Sequence, residues 1–145
     1  MNVPEKRPRV GLGIFIYNEK GQLLLIKRTS KHAHDTWAPP GGYLEYGESF
    51  EEGAKREVKE ELDIEVEDLE IIGLSNSIYP EEKKHIIAIL LKASRHKGDI
   101  KIMEPEKCSE FDWFDINNLP QPLMKPIKDY FNNSKWAYKL KIKLQ

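Results

Sequence analysis

Residues 41–64 read Gly-Gly-Tyr-Leu-Glu-Tyr-Gly-Glu-Ser-Phe-Glu-Glu-Gly-Ala-Lys-Arg-Glu-Val-Lys-Glu-Glu-Leu-Asp-Ile. Gly41, Gly42 and Gly47 permit a tight loop whose backbone can approach a ligand closely. Ser49 followed three residues later by Glu52 is a capping box and predicts the start of a helix. On an ideal wheel Ala54, Val58 and Leu62 form one apolar stripe. Glu57 and Glu61 run along an edge of that stripe, and Glu60 lies farther round.

Glu57, Glu60 and Glu61 stand at i, i+3 and i+4, so their carboxylates are neighbours on one side of the helix. Like charges at these spacings destabilise an isolated helix by about 0.2–0.5 kcal/mol per pair. A divalent cation reverses that penalty. A hard ion such as Mg²⁺ takes several oxygen ligands and shares them with substrate phosphates. Arg56, beside Glu57, is placed to hold a carboxylate through charge-assisted hydrogen bonds. A glycine loop followed by such a helix points to metal-assisted chemistry on a phosphorylated substrate.

The segment resembles the signature of the Nudix hydrolases. Gly42, Glu48, Arg56, Glu57, Val58, Glu60, Glu61 and Ile64 stand in register with it. Asp63 departs from the pattern by occupying the position of a glycine that ends the helix. Asp tolerates the left-handed region better than most residues, so the expected effect is a small stability cost with the chemistry retained. The preceding Trp37-Ala38-Pro39-Pro40 is similar to the family's approach to the loop, with Pro39 where leucine is commoner. Downstream, Glu104-Pro105-Glu106-Lys107-Cys108, Trp113-Phe114-Asp115 and Leu119-Pro120 resemble a subgroup that includes MutT-like nucleoside triphosphate pyrophosphohydrolases. The resemblance covers roughly residues 8–132.

What this implies is an α/β/α sandwich with a mixed central sheet and the motif helix packed on it. It also implies Mg²⁺, or Mn²⁺ in its place, held by Glu57 and Glu61 with help from Glu60 and the carbonyl of Gly41. Arg56 then orients a carboxylate, and Glu57 or Glu60 serves as general base. A further carboxylate from outside the helix completes such a site: Glu106 is the choice, with Glu104 and Glu110 as rivals. Glu45 and Glu48 are expected beside the loop, in salt bridges that shape it or in metal contact. Trp37, Asn76, Tyr79 and His85 are the candidate substrate-binding residues.

Elsewhere, Val10–Tyr17 and Gln22–Lys27 read as strands around an Asn-Glu-Lys-Gly turn. Residues 28–36 read as a loop. Leu69–Tyr79 and His85–Ala93 read as strands around Pro80-Glu81-Glu82. Ile100–Met103 and Glu110–Phe114 read as shorter strands, and Leu123–Phe131 as a second helix. In residues 134–145, Trp136, Tyr138, Leu140, Ile142 and Leu144 alternate with Ala137 and lysines. That period of two predicts a strand added to the sheet or to a partner subunit, with lysines protecting its exposed side.

A chain of 145 residues suits a single domain. Its formal net charge of −1 provides no field for holding a nucleic acid polymer. The lone Cys108 suits a reducing compartment, and no apolar run approaches membrane-spanning length; both point to the cytoplasm. The four histidines lack zinc-ligand spacing. Monomer and homodimer both remain open.

The expectation is a Mg²⁺-dependent hydrolase that cuts a diphosphate linkage in a nucleoside triphosphate or related nucleotide, releasing monophosphate and pyrophosphate. The alternatives are a pyrophosphatase for ADP-ribose or a nucleotide sugar, and a nucleotide-binding domain without catalysis.

Overall fold

In the computed structural model, residues 6–140 are described. The chain order is β1 (Arg9–Ile16), β2 (Leu23–Arg28), β3 (Trp37–Ala38), β4 (Gly41–Tyr43), α1 (Phe50–Leu62), β5 (Glu65–Tyr79), β6 (Lys84–Lys97), β7 (Cys108–Phe114), α2 (Lys125–Phe131) and β8 (Ala137–Lys139).

β1 and β2 carry runs of β-branched and aliphatic residues that are buried on successive positions, as strands covered on both faces require. A five-stranded sheet has the order β4-β1-β6-β5-β8, and a three-stranded sheet the order β3-β2-β7. β1 pairs parallel with β6 and antiparallel with β4, which makes the larger sheet mixed. Alternation along β1 sends Leu12, Ile14 and Ile16 to a core shared with Ala54, Val58 and Leu62 of α1. Phe15 faces the other way, into a core with Leu90, Leu123 and Ile127 beside α2. The two helices therefore cover different faces, and the sandwich is α/β/α.

The capping box forms as the sequence requires: Ser49 Oγ accepts from the Glu52 N–H at 3.0 Å, and Glu52 accepts from the Ser49 N–H at 3.2 Å. Asp63 ends α1 with φ 57° and ψ 31°, and its N–H donates to the Lys59 carbonyl. The left-handed turn is thus made by an aspartate, whose carboxylate also reaches Lys59 at 3.0 Å.

One expected strand is absent: Ile100–Met103 pairs with no strand. Its N–H groups cap the end of α1 instead. Lys101 donates to the Leu62 carbonyl at 3.0 Å and Met103 to the Glu61 carbonyl at 2.9 Å. The last carbonyls of a helix have no partner within it, so this segment satisfies them. α2 also starts later than the sequence suggests, at Lys125, with Leu123 bridging to Trp37.

The tail strand adds to β5, with Gly73 opposite Lys139 and Ser75 opposite Ala137. Ile142 and Leu144 of the expected alternation lie outside the described residues.

Candidate active site

Gly41 and Gly42 lie in β4, against the N-terminal half of β1. A side chain at Gly41 would collide with the Leu12 carbonyl, and one at Gly42 with the Glu57 carboxylate. The strand therefore comes close enough for the Gly41 N–H to donate to Glu61 Oε1 at 2.9 Å.

The wheel ordering of the glutamates appears as a gradient of burial. Glu61 is 6% exposed, and the side chains of Glu57 and Glu60 are 13% and 52% exposed. Burial pushes the Glu61 carboxyl up to about 8, against the Gly41 hydrogen bond that favours its charged form. Burial also raises Glu57, although Arg56 opposes it.

Arg56 organises the loop side. Its Nε and one terminal nitrogen grip both oxygens of Glu48 at 2.6 and 2.9 Å. The same fork reaches the Tyr43 carbonyl at 3.1 Å, Glu57 at 2.8 Å and Glu60 at 3.3 Å. Arg56 holds the Glu48 carboxyl at about 2, helped by the Glu45 backbone N–H. Glu45 itself approaches Arg56 at 3.6 Å.

These groups open into one cleft of about 750 Å³. Arg56, Glu57, Glu60, Glu61, Gly41 and Gly42 line it. From outside the helix Glu45 and Glu104 place carboxylates on its wall, and Glu106 is not among the lining residues. Of the candidate substrate contacts, Tyr79 lines the cleft. Trp37 instead packs edge-on against Phe114, at 5.0 Å between ring centroids. Asn76 and His85 hydrogen-bond to each other across β5 and β6.

Besides Arg56, four cations share the cleft with the acids: Arg9, Arg28, Lys84 and Lys107. Arg9 stacks on the Tyr43 ring, 3.5 Å from its centroid, and Lys107 pairs with Glu104 at 3.1 Å. Sequence reasoning passed over these four. They are scattered singly through a chain in which 32% of residues are charged, and only Lys107 sits in a segment already singled out.

As a donor set for a divalent cation, the site offers hard carboxylate oxygens from Glu57, Glu60, Glu61 and Glu104. No three such groups converge on a single point among the described residues; Arg56 draws Glu57 and Glu60 toward itself. The buried Glu61, however, has no direct ion pair among the described residues, Arg28 favouring its charged form only from a distance, and a hard divalent ion fits that deficit.

A family model for the NUDIX domain matches residues 7–134. The chain is similar to an ADP-ribose pyrophosphatase of Methanocaldococcus jannaschii, 35% identical over 118 residues, covering 79% of this chain and 69% of that protein. It is also similar to an NAD-capped RNA hydrolase NudC of Pseudomonas putida, 27% identical over 78% of this chain. Of that protein's length the chain spans 39%. Among solved structures, the MutT NUDIX hydrolase of Burkholderia pseudomallei matches with a TM-score of 0.77 at 33% identity, over 81% of this chain and 91% of its own. A MutT protein of Methanosarcina mazei has the same TM-score at 29% identity, over 90% and 95%. The carboxylate helix, its glycine loop and the α/β/α layers are thus those of an established enzyme family, and the chain belongs to the Nudix hydrolases as a Nudix pyrophosphohydrolase.

Proposed function

We propose that this chain hydrolyses a diphosphate linkage in a nucleoside triphosphate or related nucleotide, releasing a monophosphate, with Mg²⁺ as cofactor and Mn²⁺ as its substitute. The observation that carries this is the placement of Glu57, Glu60 and Glu61 in the same cleft as Arg9, Arg28, Lys84 and Lys107. Acids suited to a cation and cations suited to phosphate oxygens face one space.

Glu61, Glu57, Glu60 and Glu104, with the Gly41 carbonyl, are the groups that would hold the metal. When bound, the ion neutralises charge on the phosphate oxygens and acidifies water. The protein's own residues do the rest. Gly41 fixes the Glu61 carboxylate from the backbone. Arg56 fixes Glu57 through Oε1, which leaves Oε2 to accept a proton. Of the two base candidates Glu57 is favoured over Glu60, because Arg56 holds it more closely, at 2.8 Å against 3.3 Å. The cations hold the negative substrate in line, the dominant requirement for phosphoryl chemistry.

A second substrate class is supported by the 35% identity to an ADP-ribose pyrophosphatase: a nucleoside diphosphate bearing a sugar. A turnover screen with Mg²⁺ over nucleoside triphosphates, oxidised nucleotides, ADP-ribose and nucleotide sugars, with products identified, separates the two. Release of pyrophosphate from a triphosphate supports the first. Turnover confined to ADP-ribose or nucleotide sugars selects the second. Nucleotide binding without Mg²⁺-dependent turnover would refute both and leave a binding domain.

A further inference from the structure

Arg28 ends β2, and its guanidinium is held by a loop, not by an acid. Its Nε and a terminal nitrogen donate to the His32 carbonyl at 3.2 and 3.1 Å, and the same terminal nitrogen donates to Ser30 Oγ at 2.7 Å. No carboxylate lies within ion-pairing distance of it among the described residues. Arg28, Ser30 and His32 all line the cleft. A guanidinium braced by neutral oxygens, with no direct ion pair among the described residues, is suited to an anion arriving from solution.

The brace depends on how the tip of this loop is held. The base of the loop is closed by the backbone: Arg28 N–H to the Thr36 carbonyl, Asp35 N–H to the Arg28 carbonyl and Thr29 N–H to the Lys107 carbonyl, at 2.8–2.9 Å. The tip, by contrast, turns through two left-handed residues that are not glycine, Ala33 at φ 53° and Asp35 at φ 60°. Such conformations persist only where surrounding contacts fix them. Among the described residues, the His32 ring ties the tip to the turn between β5 and β6. Its Nδ1 lies 3.0 Å from both carboxylate oxygens of Glu82, and the ring packs edge-on against Tyr79 at 4.7 Å. Its Nε2 is buried without a partner among the described residues, so Glu82 supplies the ring's one described hydrogen bond. Glu82 belongs to the turn between β5 and β6 and is not among the cleft-lining residues.

Resting on the diphosphate reading of the cleft, we infer that Glu82 and His32 are positioning residues: Glu82 latches the His32 ring, the latched loop fixes Arg28, and Arg28 binds the non-reacting phosphate of the substrate. The charge that meets the phosphate is thus set through His32 from a turn fifty positions beyond that histidine. The hairpin turn and the strand-ending arginine form one binding device.

Inorganic pyrophosphate in Mg²⁺ is the probe, and titration calorimetry on the full chain is the measurement. Glu82→Ala is expected to weaken pyrophosphate binding about tenfold, the scale of an outer support. Glu82→Gln keeps an acceptor for Nδ1 and restores the affinity. In an Arg28→Ala background Glu82→Ala has no further effect, because it acts through Arg28. An unchanged affinity in Glu82→Ala overturns the inference. So does an equal loss in both backgrounds, which marks general damage. If Glu82→Ala lowers the melting temperature, His32→Leu is put through the same cycle and judged by the same two outcomes. Failure of the unaltered chain to bind pyrophosphate overturns the role of Arg28, while the turnover screen decides the hydrolase reading independently.

Discussion

The backbone N–H of Gly41 donates to the carboxylate of Glu61 at 2.9 Å across twenty positions of chain. The glycine strand and the last full turn of α1 are thereby joined at the most buried acid of the cleft. Glu61→Gln keeps an oxygen for this bond and removes the charge. The expected outcome is a kcat lower by at least about 10²-fold, more than the loss of a supporting residue, with melting temperature in chelator held or raised. Steady-state kinetics beside a thermal melt check this; near-normal turnover rules out a role for the Glu61 charge.

Stability should depend on pH and metal together. The Glu61 carboxyl titrates near 8 in the fold against 4.5 unfolded, so the folded state binds the proton more tightly. This stabilisation is fully present below about pH 4.5 and is lost as pH rises through about 8. Glu48 works in the opposite sense in another window. Its contribution is present above 4.5 and lost as pH falls through about 2. Without metal, the melting temperature is therefore expected to fall between pH 5 and 8, within the window opened by Glu61. Mg²⁺ should reverse the fall and release protons on binding. Melts with chelator and with Mg²⁺ across that range test it, and two parallel curves would count against the assignment.

The adjacent glycines should fail differently. A methyl at residue 41 meets the backbone of Leu12, which cannot move without shifting β1. Gly41→Ala is expected to cost about 1–3 kcal/mol, as overpacking does. A methyl at residue 42 meets the end of the Glu57 side chain, which can swing away from the cleft. Gly42→Ala should keep the fold and lose activity. Denaturant unfolding and turnover on both variants separate these outcomes; equal stability losses would contradict the difference in surroundings.

Deleting residues 134–145 should lower the melting temperature and promote association. It removes the Asn76 N–H bond to the Trp136 carbonyl at 2.8 Å and the Leu140 N–H bond to the Ile72 carbonyl at 2.9 Å. The edge of β5 is then left open for another chain to pair with. Light scattering and thermal melts are the readouts; an unchanged chain would show that β8 is dispensable.

The helix was legible residue by residue. Its cap, its buried stripe and the graded exposure of Glu61, Glu57 and Glu60 all follow from local periodicity. Asp63 in the left-handed region was legible too, since few residues accept that turn. Ile100–Met103 was not: its β-branched residues favour extended backbone, but nothing local shows that helix carbonyls rather than a strand will take its N–H groups. Arg28, Lys84 and Arg9 were hidden for the same reason. Single cations become a binding surface only when strands distant in sequence bring them to one cleft. Trp37, Asn76 and His85 show the converse, since aromatic and amide groups near the motif or on strands expected to face the cleft are used between strands and against other rings.

The N–H that caps the Glu61 carbonyl comes from Met103, the residue immediately before Glu104. Glu104, an acid from outside the helix, is thus hung from the backbone of the very residue whose side chain lies buried in the cleft. Unwinding the last turn of α1 would pull both away together. The spacing between these two acids is therefore a property of one helix end, and should survive breathing of the loops around it.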